Sequence, residues 1–323
     1  MANFMKGTIL SLVQWIALAM FAIGLATSFL SWKKQPLIPT MHPQSGQFAL
    51  ITGASSGLGR EMSYLLAQKG FSLIVTARNR APLEAMRTDI ERLHKVAVQV
   101  CDCDLGTQEG IDLLIHFVRG KRLYVDILIN NAGAAQMGNF HTLTSTKVAQ
   151  SVSLNVCAVV QLTHFVLAQM LSRRSGRVLN VSSVLAVSPA PNMATYASSK
   201  AFIHSFTQAL RHELAGSGVV ATCFCPGPMK TNFAKESDCQ QSLCFRVPYL
   251  QSSPVDAAKI AVDGMFAGVA IAHDRLLTRE IMFVQKRFLP LSLCTTINEV
   301  LMREFGSFSL KKMQTKSTKA ART

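Results

Sequence analysis

The chain is poor in acidic residues. Its 323 residues include 33 lysines and arginines but 18 aspartates and glutamates, which gives a formal net charge of +15. Such an excess of positive charge is typical of proteins that bind nucleic acid, anionic lipid or a polyanionic small ligand. Zinc-finger spacing, an aromatic RNA-recognition pattern and a basic heptad array are all missing, so the sequence does not favour nucleic acid as a partner.

The sequence also lacks a recognisable metal-ligand spacing. Its eight histidines show no pattern of the HExxH kind. The cysteines in CDC at 101–103 and in CFC at 223–225 are two apart, but residues i and i+2 of a strand merely share a face. A metal site would have to bring two distant strands together. We therefore predict no metal, and free thiols in a reducing compartment.

A long uncharged run is present near the start of the chain. Residues 7–32 are rich in Leu, Ile, Ala, Phe and Met and lie between Lys6 and Lys33. A helix needs about 20 residues to cross a hydrocarbon core of ~30 Å. A cleavable signal has a shorter apolar core, ~7–15 residues, and a small-residue cleavage site that GLATSFLSW matches poorly. We predict an N-terminal transmembrane helix within residues 1–32; a buried helix or a monotopic hairpin is the alternative.

Strands and helices alternate after a proline-containing linker at residues 33–46. The apolar runs FALIT, FSLIVTA, VAVQV, VDILIN, RVLNV and VVATCF indicate strands that are covered on both faces. Helical spacing separates them, including a long helix over about 146–171. The pattern predicts an α/β fold, a Rossmann-type doubly wound parallel sheet, over residues 47–275.

Two later segments are less regular. Residues 226–253 lack periodicity, and a loop of this length within a compact domain is usually functional, for example a lid. Residues 276–323 form a C-terminal extension with an expected last strand near REIMFV and a helix near TTINEVLMREF. The extension ends in a basic tail, KKMQTKSTKAART, which contains no acidic residue. Attraction to acidic lipid headgroups would suit this tail if the chain has a membrane anchor.

Glycines cluster where the first predicted strand gives way to a helix. In TGASSGLG they are Gly53, Gly57 and Gly59. A strand, a tight turn and a helix N-terminus form a phosphate site, because glycine lets the backbone approach a pyrophosphate and the helix end offers free N–H groups. The second strand ends at Arg78, where an NAD-preferring site would have a carboxylate. A guanidinium can pair with a 2′-phosphate, so Arg78 favours NADP(H).

A tyrosine and a lysine lie four residues apart in YASSK. This spacing places Tyr196 and Lys200 on one face of a helix. A phenol ordinarily has a pKa of ~10. A neighbouring ammonium would lower the phenol pKa toward the working pH and create an acid/base group. The spacing alone would equally suit two side chains that share a helix face by coincidence.

Five motifs occur in order: TGASSGLG at 52–59, NNAG at 130–133, NVSS at 180–183, YASSK at 196–200 and PGPMKT at 226–231. Together they resemble the short-chain dehydrogenase/reductase family over about residues 47–270, and in particular membrane-associated members such as hydroxysteroid dehydrogenases and the DltE-like group. The resemblance implies that Tyr196 is the catalytic acid/base and that Lys200 is its partner and a ligand of the nicotinamide ribose. It also implies that Ser183 hydrogen-bonds the substrate oxygen and that Asn155 holds a water in the proton relay.

The resemblance further implies a binding site for the cofactor. Asn131 and Gly133 would shape its pocket. Asp104 would meet the adenine edge, although Asp102 is close enough to leave this choice open. Ser56 stands where many NADP-preferring relatives have Lys or Arg, so the cofactor preference rests on the guanidinium at the end of the second strand.

The last motif would complete the cofactor site. Pro226 and Gly227 would shape the loop over the nicotinamide, and Thr231 would bind its carboxamide. The full predicted cofactor set is Gly53, Ser55, Ser56, Gly57, Leu58, Gly59, Arg78, Asp104, Asn131, Ala132, Gly133, Tyr196, Lys200, Pro226, Gly227 and Thr231.

The expected walls of the substrate pocket, residues 134–140 and 184–193 and the loop after 226, are mostly apolar. Hydride transfer needs a dry pocket that holds the substrate carbon against the nicotinamide. We therefore predict an oxidoreductase of lipid metabolism, acting on a lipophilic carbonyl or hydroxyl of steroid, retinoid, 3-oxoacyl or sphingoid type. The alternative is a catalytically silent NADP-binding sensor or scaffold on a membrane, which a degraded set of catalytic residues would favour.

The charges beside the apolar run predict its orientation. Lys33 and Lys34, with the basic chain that follows, outweigh Lys6 and the amino terminus, so the catalytic domain is expected to face the cytosol. Cysteines without a disulfide pattern agree with this side of the membrane. We predict a single-pass protein of the endoplasmic reticulum, and a homodimer is compatible with the sequence.

Overall fold

The computed structural model of the chain describes residues 41, 43 and 47–303. The predicted anchor at 1–32, most of the linker and the basic tail lie outside the described residues. Seven parallel strands form one sheet in the order β3-β2-β1-β4-β5-β6-β7. The strands are β1 Gln47–Thr52, β2 Ser72–Ala77, β3 Val98–Asp102, β4 Tyr124–Asn130, β5 Gly176–Val181, β6 Val219–Cys225 and β7 Ile271–His273.

Helices cover both faces of this sheet. They are α1 Gly57–Gln68, α2 Arg80–His94, α3 Gln108–Gly120, α4 Ser145–Val152, α5 Ala158–Ser172, α6 Ala194–Glu213, α7 Phe233–Glu236, α8 Leu243–Arg246, α9 Pro254–Phe266, α10 Leu276–Arg287 and α11 Leu291–Leu301. A π-helical turn, Ser153–Cys157, joins α4 to α5. The predicted doubly wound α/β fold is confirmed for the described residues.

The strands are uninterrupted apolar runs because both faces of the sheet are buried. Every residue of β5 is buried, and so are six of the seven residues of β4. One apolar layer includes Met62 and Leu66 of α1, and the layer on the other face includes Leu162 and Val166 of α5. Parallel sheets with this two-sided burial give the sequence pattern from which the strands were predicted.

Three expectations about secondary structure need correction. REIMFV is wrong as a strand: residues 279–284 lie within α10, and the last strand is the three-residue β7. The long helix over 146–171 is interrupted by the π-helical turn. The region 226–253 contains two short helices, α7 and α8, and a 3₁₀ turn at Pro248–Leu250 rather than loop throughout.

One helical stretch among the described residues, Ser145–Ser172, is long and apolar enough to cross a membrane by length and composition. Its apolar side chains include Val159, Leu162, Val166 and Met170, which are buried against the sheet. Core packing therefore accounts for the composition of this stretch. The segment that the sequence predicts as a membrane anchor lies elsewhere, outside the described residues.

Candidate active site

A cavity of about 760 Å³ lies at the carboxyl ends of the strands, where the strand order reverses between β1 and β4. Doubly wound sheets bind ligands at this switch point, and ligand pockets span roughly 300–1,000 Å³. The structure brings almost every predicted site residue to this cavity. The exceptions are Gly59 and Asn155, which lie behind its wall.

The helix end in the cavity is suited to an anionic ligand. Helix α1 begins at Gly57, and within the described structure the side chain of its N-cap residue Ser56 makes no capping hydrogen bond. No acidic residue lies in the first turn of α1. By contrast, the side chains of Asn79 and Thr107 cap α2 and α3. The first N–H groups of α1 are therefore available to a phosphate, as a dinucleotide would require.

The glycines of this turn are required by close backbone packing. A Cβ at Gly59 would lie 2.3 Å from the carbonyl oxygen of Gly53, and one at Gly53 would lie 2.9 Å from Cα of Ala132. The Asn131 amide donates to the carbonyl oxygens of Thr52 at 2.9 Å and Gly53 at 3.2 Å. Gly59 thus supports the turn from behind, and Asn131 ties it to the end of β4.

The second strand ends in an arginine with no ion pair among the described residues. Arg78 lines the cavity and is exposed. Arg80, two residues later, is held 2.8 Å from Glu84 and 2.9 Å from Asp102. Asp102 is therefore engaged away from the cavity. Asp104 lines the cavity, and its Oδ1 accepts a hydrogen bond of 2.9 Å from the Gly106 N–H, so geometry favours Asp104 for the adenine side.

The candidate catalytic side chains converge from β5 and α6. Tyr196 is half-buried, and Ser183, just after β5, hydrogen-bonds its hydroxyl. Burial raises the pKa of Tyr196 to about 12, while the hydrogen bond from Ser183 acts in the opposite direction. Lys200 Nζ lies 5.6 Å from the centre of the Tyr196 ring and donates a hydrogen bond of 2.8 Å to the Val181 carbonyl oxygen.

The pKa of Tyr196 is raised by burial rather than lowered by its lysine neighbour. Burial lowers the pKa of Lys200 to about 8, against a smaller raising effect of the thiols Cys223 and Cys225. The ammonium is itself poorly solvated and bound to the Val181 carbonyl. Loss of hydration at Tyr196 therefore outweighs the lowering effect of the Ser183 hydrogen bond.

Asn155 lies in the π-helical turn and clamps the segment after β4. Its Oδ1 accepts a hydrogen bond of 3.0 Å from the Ala134 N–H, and its Nδ2 donates one of 2.7 Å to the Ala134 carbonyl oxygen. Nδ2 also donates to the Ser151 hydroxyl. The amide of Asn155 is thus engaged by the Ala134 backbone, and its role in a proton relay stays a prediction.

The far wall of the cavity comes from the three segments predicted to line it, residues 134–140, 184–193 and the loop after 226, and also from Met302, which sequence reasoning missed. This wall is an apolar cluster that packs around Tyr196 and draws on segments far apart in the chain. Tyr196 and Phe233 have ring centres 5.6 Å apart, and Cys244 and Met302 have sulfur atoms 3.9 Å apart. No spacing in the sequence links residues 58 positions apart. Members of the cluster that line the cavity include Ala135, Val184, Leu185, Met193, Phe233, Cys244, Phe245 and Met302.

The chain belongs to the short chain dehydrogenase family, whose family model matches residues 47–242. It is similar to 17-beta-hydroxysteroid dehydrogenase type 3 of Mus musculus, with 32% identity over 194 residues that cover 59% of this chain and 62% of the relative. The match thus spans less than two thirds of that relative. The inactive hydroxysteroid dehydrogenase-like protein 1 of Pongo abelii is 28% identical over 249 residues, 76% of this chain and 73% of that protein.

A solved structure agrees with the fold and the kind of cofactor. The short-chain dehydrogenase from Sphingobium yanoikuyae in complex with NADPH is similar, with a TM-score of 0.66 and 26% sequence identity. The alignment covers 71% of this chain and 88% of the chain in that structure. Family membership, together with the uncapped helix end and the glycine turn, supports a nicotinamide cofactor and an oxidoreductase site at this cavity.

Proposed function

We propose that the chain is an NADP(H)-dependent oxidoreductase that transfers hydride between the nicotinamide and a lipophilic carbonyl or hydroxyl substrate. The observation that carries this proposal is the convergence of Tyr196, Lys200 and Ser183 on the cavity that also contains the glycine turn. Arg78 supports NADP(H), because its guanidinium lines the cavity and has no ion pair among the described residues.

Each catalytic side chain has a role that follows from its position. Ser183 would hydrogen-bond the substrate oxygen and orient it toward the Tyr196 hydroxyl. A pKa of about 12 keeps Tyr196 protonated at neutral pH, so it can donate a proton to a carbonyl oxygen during reduction. Lys200 would bind ribose hydroxyls and stabilise the tyrosinate formed. The bound nicotinamide supplies the hydride chemistry.

The substrate class is inferred from the far wall. The side chains of the apolar cluster defined above offer few polar partners, which suits a steroid, retinoid, 3-oxoacyl or sphingoid compound. The name of the Mus musculus relative, a hydroxysteroid dehydrogenase, supports the steroid member of this set.

A membrane location is proposed on two grounds. The uncharged run at 7–32 is long enough to span a bilayer. Exposed apolar side chains on and between α10 and α11, including Leu276, Phe283, Phe288 and Leu291, lie near Lys286 and Arg287 in the chain. Apolar groups beside cations suit an anionic membrane surface. We place the chain in the endoplasmic reticulum with the catalytic domain in the cytosol.

The second candidate is a silent NADP-binding sensor or scaffold. Similarity to a relative named as inactive favours it. The retained set Asn155, Ser183, Tyr196 and Lys200 favours the enzyme. Turnover therefore decides between the two.

The test measures NADPH consumption by the purified full chain with a steroid ketone, a retinal, a 3-oxoacyl thioester and a 3-oxo sphingoid base. Tyr196→Phe should reduce turnover by about 10²–10⁴-fold, the usual contribution of a positioned acid/base, while NADPH still binds. Tyr124→Phe is the matched control, because Tyr124 is exposed at the amino end of β4 and should have no effect. Unchanged turnover in Tyr196→Phe would refute the mechanism, and NADPH binding without turnover on any substrate would favour the silent protein.

The side of the membrane that the catalytic domain faces is tested separately. Protease added to intact microsomes should digest the C-terminal domain if it faces the cytosol. A domain protected until detergent is added would contradict this orientation.

A further inference from the structure

Two cysteines and a histidine, side chains that bind thiophilic metal ions, meet behind α6. This helix bears Tyr196 and Lys200 and is called the catalytic helix below. Cys223 and Cys225 are two apart on β6 and point to the same face, and His204 reaches them from α6, one turn after Lys200. The sulfur atoms are 3.6 Å apart, and His204 Nδ1 lies 3.7 Å from Cys223 Sγ and 3.6 Å from Cys225 Sγ. None of the three lines the cavity described above.

This triangle has the dimensions of one face of a tetrahedral metal site. Zinc binds sulfur at ~2.3 Å and imidazole nitrogen at ~2.0 Å, and tetrahedral angles then place two sulfurs ~3.8 Å apart and sulfur and nitrogen ~3.5 Å apart. The three observed edges are 3.6 to 3.7 Å. We propose that His204, Cys223 and Cys225 form a binding site for a thiophilic divalent cation, Zn²⁺, that holds β6 to the catalytic helix.

The surroundings suit a structural ion. Cys223 and Cys225 are 0% exposed, and Met282 of α10 packs with them in one apolar cluster. The occupied site would consist of Zn²⁺, two thiolates and a neutral imidazole. The net charge buried is then zero. Binding would release both thiol protons to solvent.

A disulfide explains the pair less well. Neighbours i and i+2 on a strand have Cα atoms ~6.5 Å apart, since each residue rises ~3.3 Å. This lies near the upper end of the range for disulfides, and the two parallel Cβ vectors point side by side rather than toward one another. Thiol hydrogen bonds alone would satisfy the two cysteines, and they are the alternative that the experiment must exclude.

The fourth ligand would be His273 or a water. His273 is the register partner of Cys225 on β7, and its Nδ1 is shielded from solvent with no hydrogen-bond partner among the described residues. Its nitrogens lie outside the group of ligand atoms that are within 4.8 Å of one another, so direct binding would need a change of side-chain rotamer. Three protein ligands and one water are also a stable zinc arrangement.

The site would stabilise the catalytic geometry from behind. Lys200 and His204 are four apart on α6, and Cys225 directly precedes Pro226 and Gly227 of the cavity wall. An ion joined to both elements would fix the distance between the lysine and this loop. The expected effect is on stability, because the ion does not reach the cavity.

Cobalt provides a direct measurement on the reduced, chelator-treated full chain in detergent. We expect one Co²⁺ per chain, with a sulfur-to-cobalt charge-transfer band and the intense visible bands of tetrahedral cobalt, all removed by added Zn²⁺. Cys223→Ser with Cys225→Ser should abolish the charge-transfer band. Cys101→Ser with Cys103→Ser is the matched control: this buried pair has the same spacing at the end of β3 but belongs to no group of metal-ligating side chains among the described residues, and the cobalt bands of this variant should remain.

Folding is monitored by circular dichroism and by NADPH binding, which need no catalytic turnover. Because the double serine variant alters two fully buried side chains, His204→Asn provides a milder change at a half-buried position. Zn²⁺ should raise the unfolding temperature of the natural chain and of the Cys101/Cys103 control, but not that of His204→Asn. A natural chain without the charge-transfer band, or the same band in the Cys223/Cys225 variant, would overturn the proposal.

Discussion

The two sides of the cavity are built in different ways. On the cofactor side, the glycine turn is held by contacts within a few residues of strand ends, such as the Asn131 amide on the carbonyl oxygens of Thr52 and Gly53. On the substrate side, the wall is assembled from side chains of distant segments, such as Cys244 and Met302. Backbone determines the first side, and side-chain packing determines the second.

Because of this difference, the two sides should tolerate different kinds of amino-acid substitution. A backbone cradle fails when a single Cβ is added, whereas an apolar wall can accept exchanges of similar volume. We therefore expect cofactor-side changes to alter NADPH affinity and substrate-side changes to alter substrate KM. The predictions at Gly59, Arg78 and Asn298 test this separation, and the prediction at Lys200 tests the burial of charge between the two sides.

The largest effect is expected at Gly59. Gly59→Ala places a Cβ 2.3 Å from the Gly53 carbonyl oxygen, and neither atom belongs to a flexible side chain. Overpacking of this kind costs roughly 1–3 kcal/mol or more, so the midpoint of thermal unfolding should fall and NADPH binding should be lost. Gly120→Ala is the control, because nothing lies within 4 Å of its Cβ. Normal NADPH affinity in Gly59→Ala would contradict the account of the turn.

Arg78→Ala should weaken NADPH binding by about 10–100-fold and leave NADH binding unchanged. The estimate follows from ~1.5–3 kcal/mol for a hydrogen bond to a charged group. Arg80→Ala is the control, since Arg80 is already paired with Glu84 and Asp102. Fluorescence titration with both cofactors measures the ratio. Equal losses for NADPH and NADH would reject the assignment to the 2′-phosphate.

Lys200→Met should make the cofactor-free protein more stable at pH 7 while abolishing turnover. The pKa of Lys200 in the folded chain is about 8, below its ordinary 10.5, so the unfolded state binds more protons between these values. Stability of the natural chain therefore rises with pH across that window. The variant should gain about 1–2 kcal/mol at pH 7, after the lost bond to Val181 is set against the burial cost.

The gain in Lys200→Met should shrink as the pH passes from 8 to 10.5. Lys200→Arg keeps the buried charge and should show no gain. Denaturant unfolding of the three proteins across this pH range is the measurement. A gain that did not change with pH would mean that packing, not charge, is responsible.

The smallest effect is expected at Asn298 of α11. This buried amide donates hydrogen bonds of 2.8 Å to the Ser188 hydroxyl and 2.9 Å to the Pro189 carbonyl oxygen, which ties α11 to the substrate-side loop. Asn298→Ala should cost about 1 kcal/mol and raise substrate KM a few-fold with NADPH affinity unchanged. The exposed Thr296→Ala on the same helix is the control. A matching loss of NADPH affinity would show that the two sides are coupled.

The same difference explains what could be predicted from the sequence. The strands and the glycine turn were predictable because two-sided burial and strand-end turns leave local patterns, as in FALIT followed by Gly53. The helical segment 279–284 resembles a strand in the sequence because a short apolar run has no decisive periodicity. The pairing of Cys244 with Met302, and the high pKa of Tyr196, arise from tertiary burial and have no local signal.

The π-helical turn at Ser153–Cys157 imposes a rule on chain length. Asn155 reaches both polar atoms of the Ala134 backbone because the turn adds a residue to the helix between α4 and α5. Removing one residue there would rotate the following helix by ~100° relative to its partners, given 3.6 residues per turn. Many side chains in 145–157 should thus be exchangeable, while single-residue deletions should not be. Outside Asn155 and Ser151, substitutions in this segment should therefore be tolerated better than any change in its length.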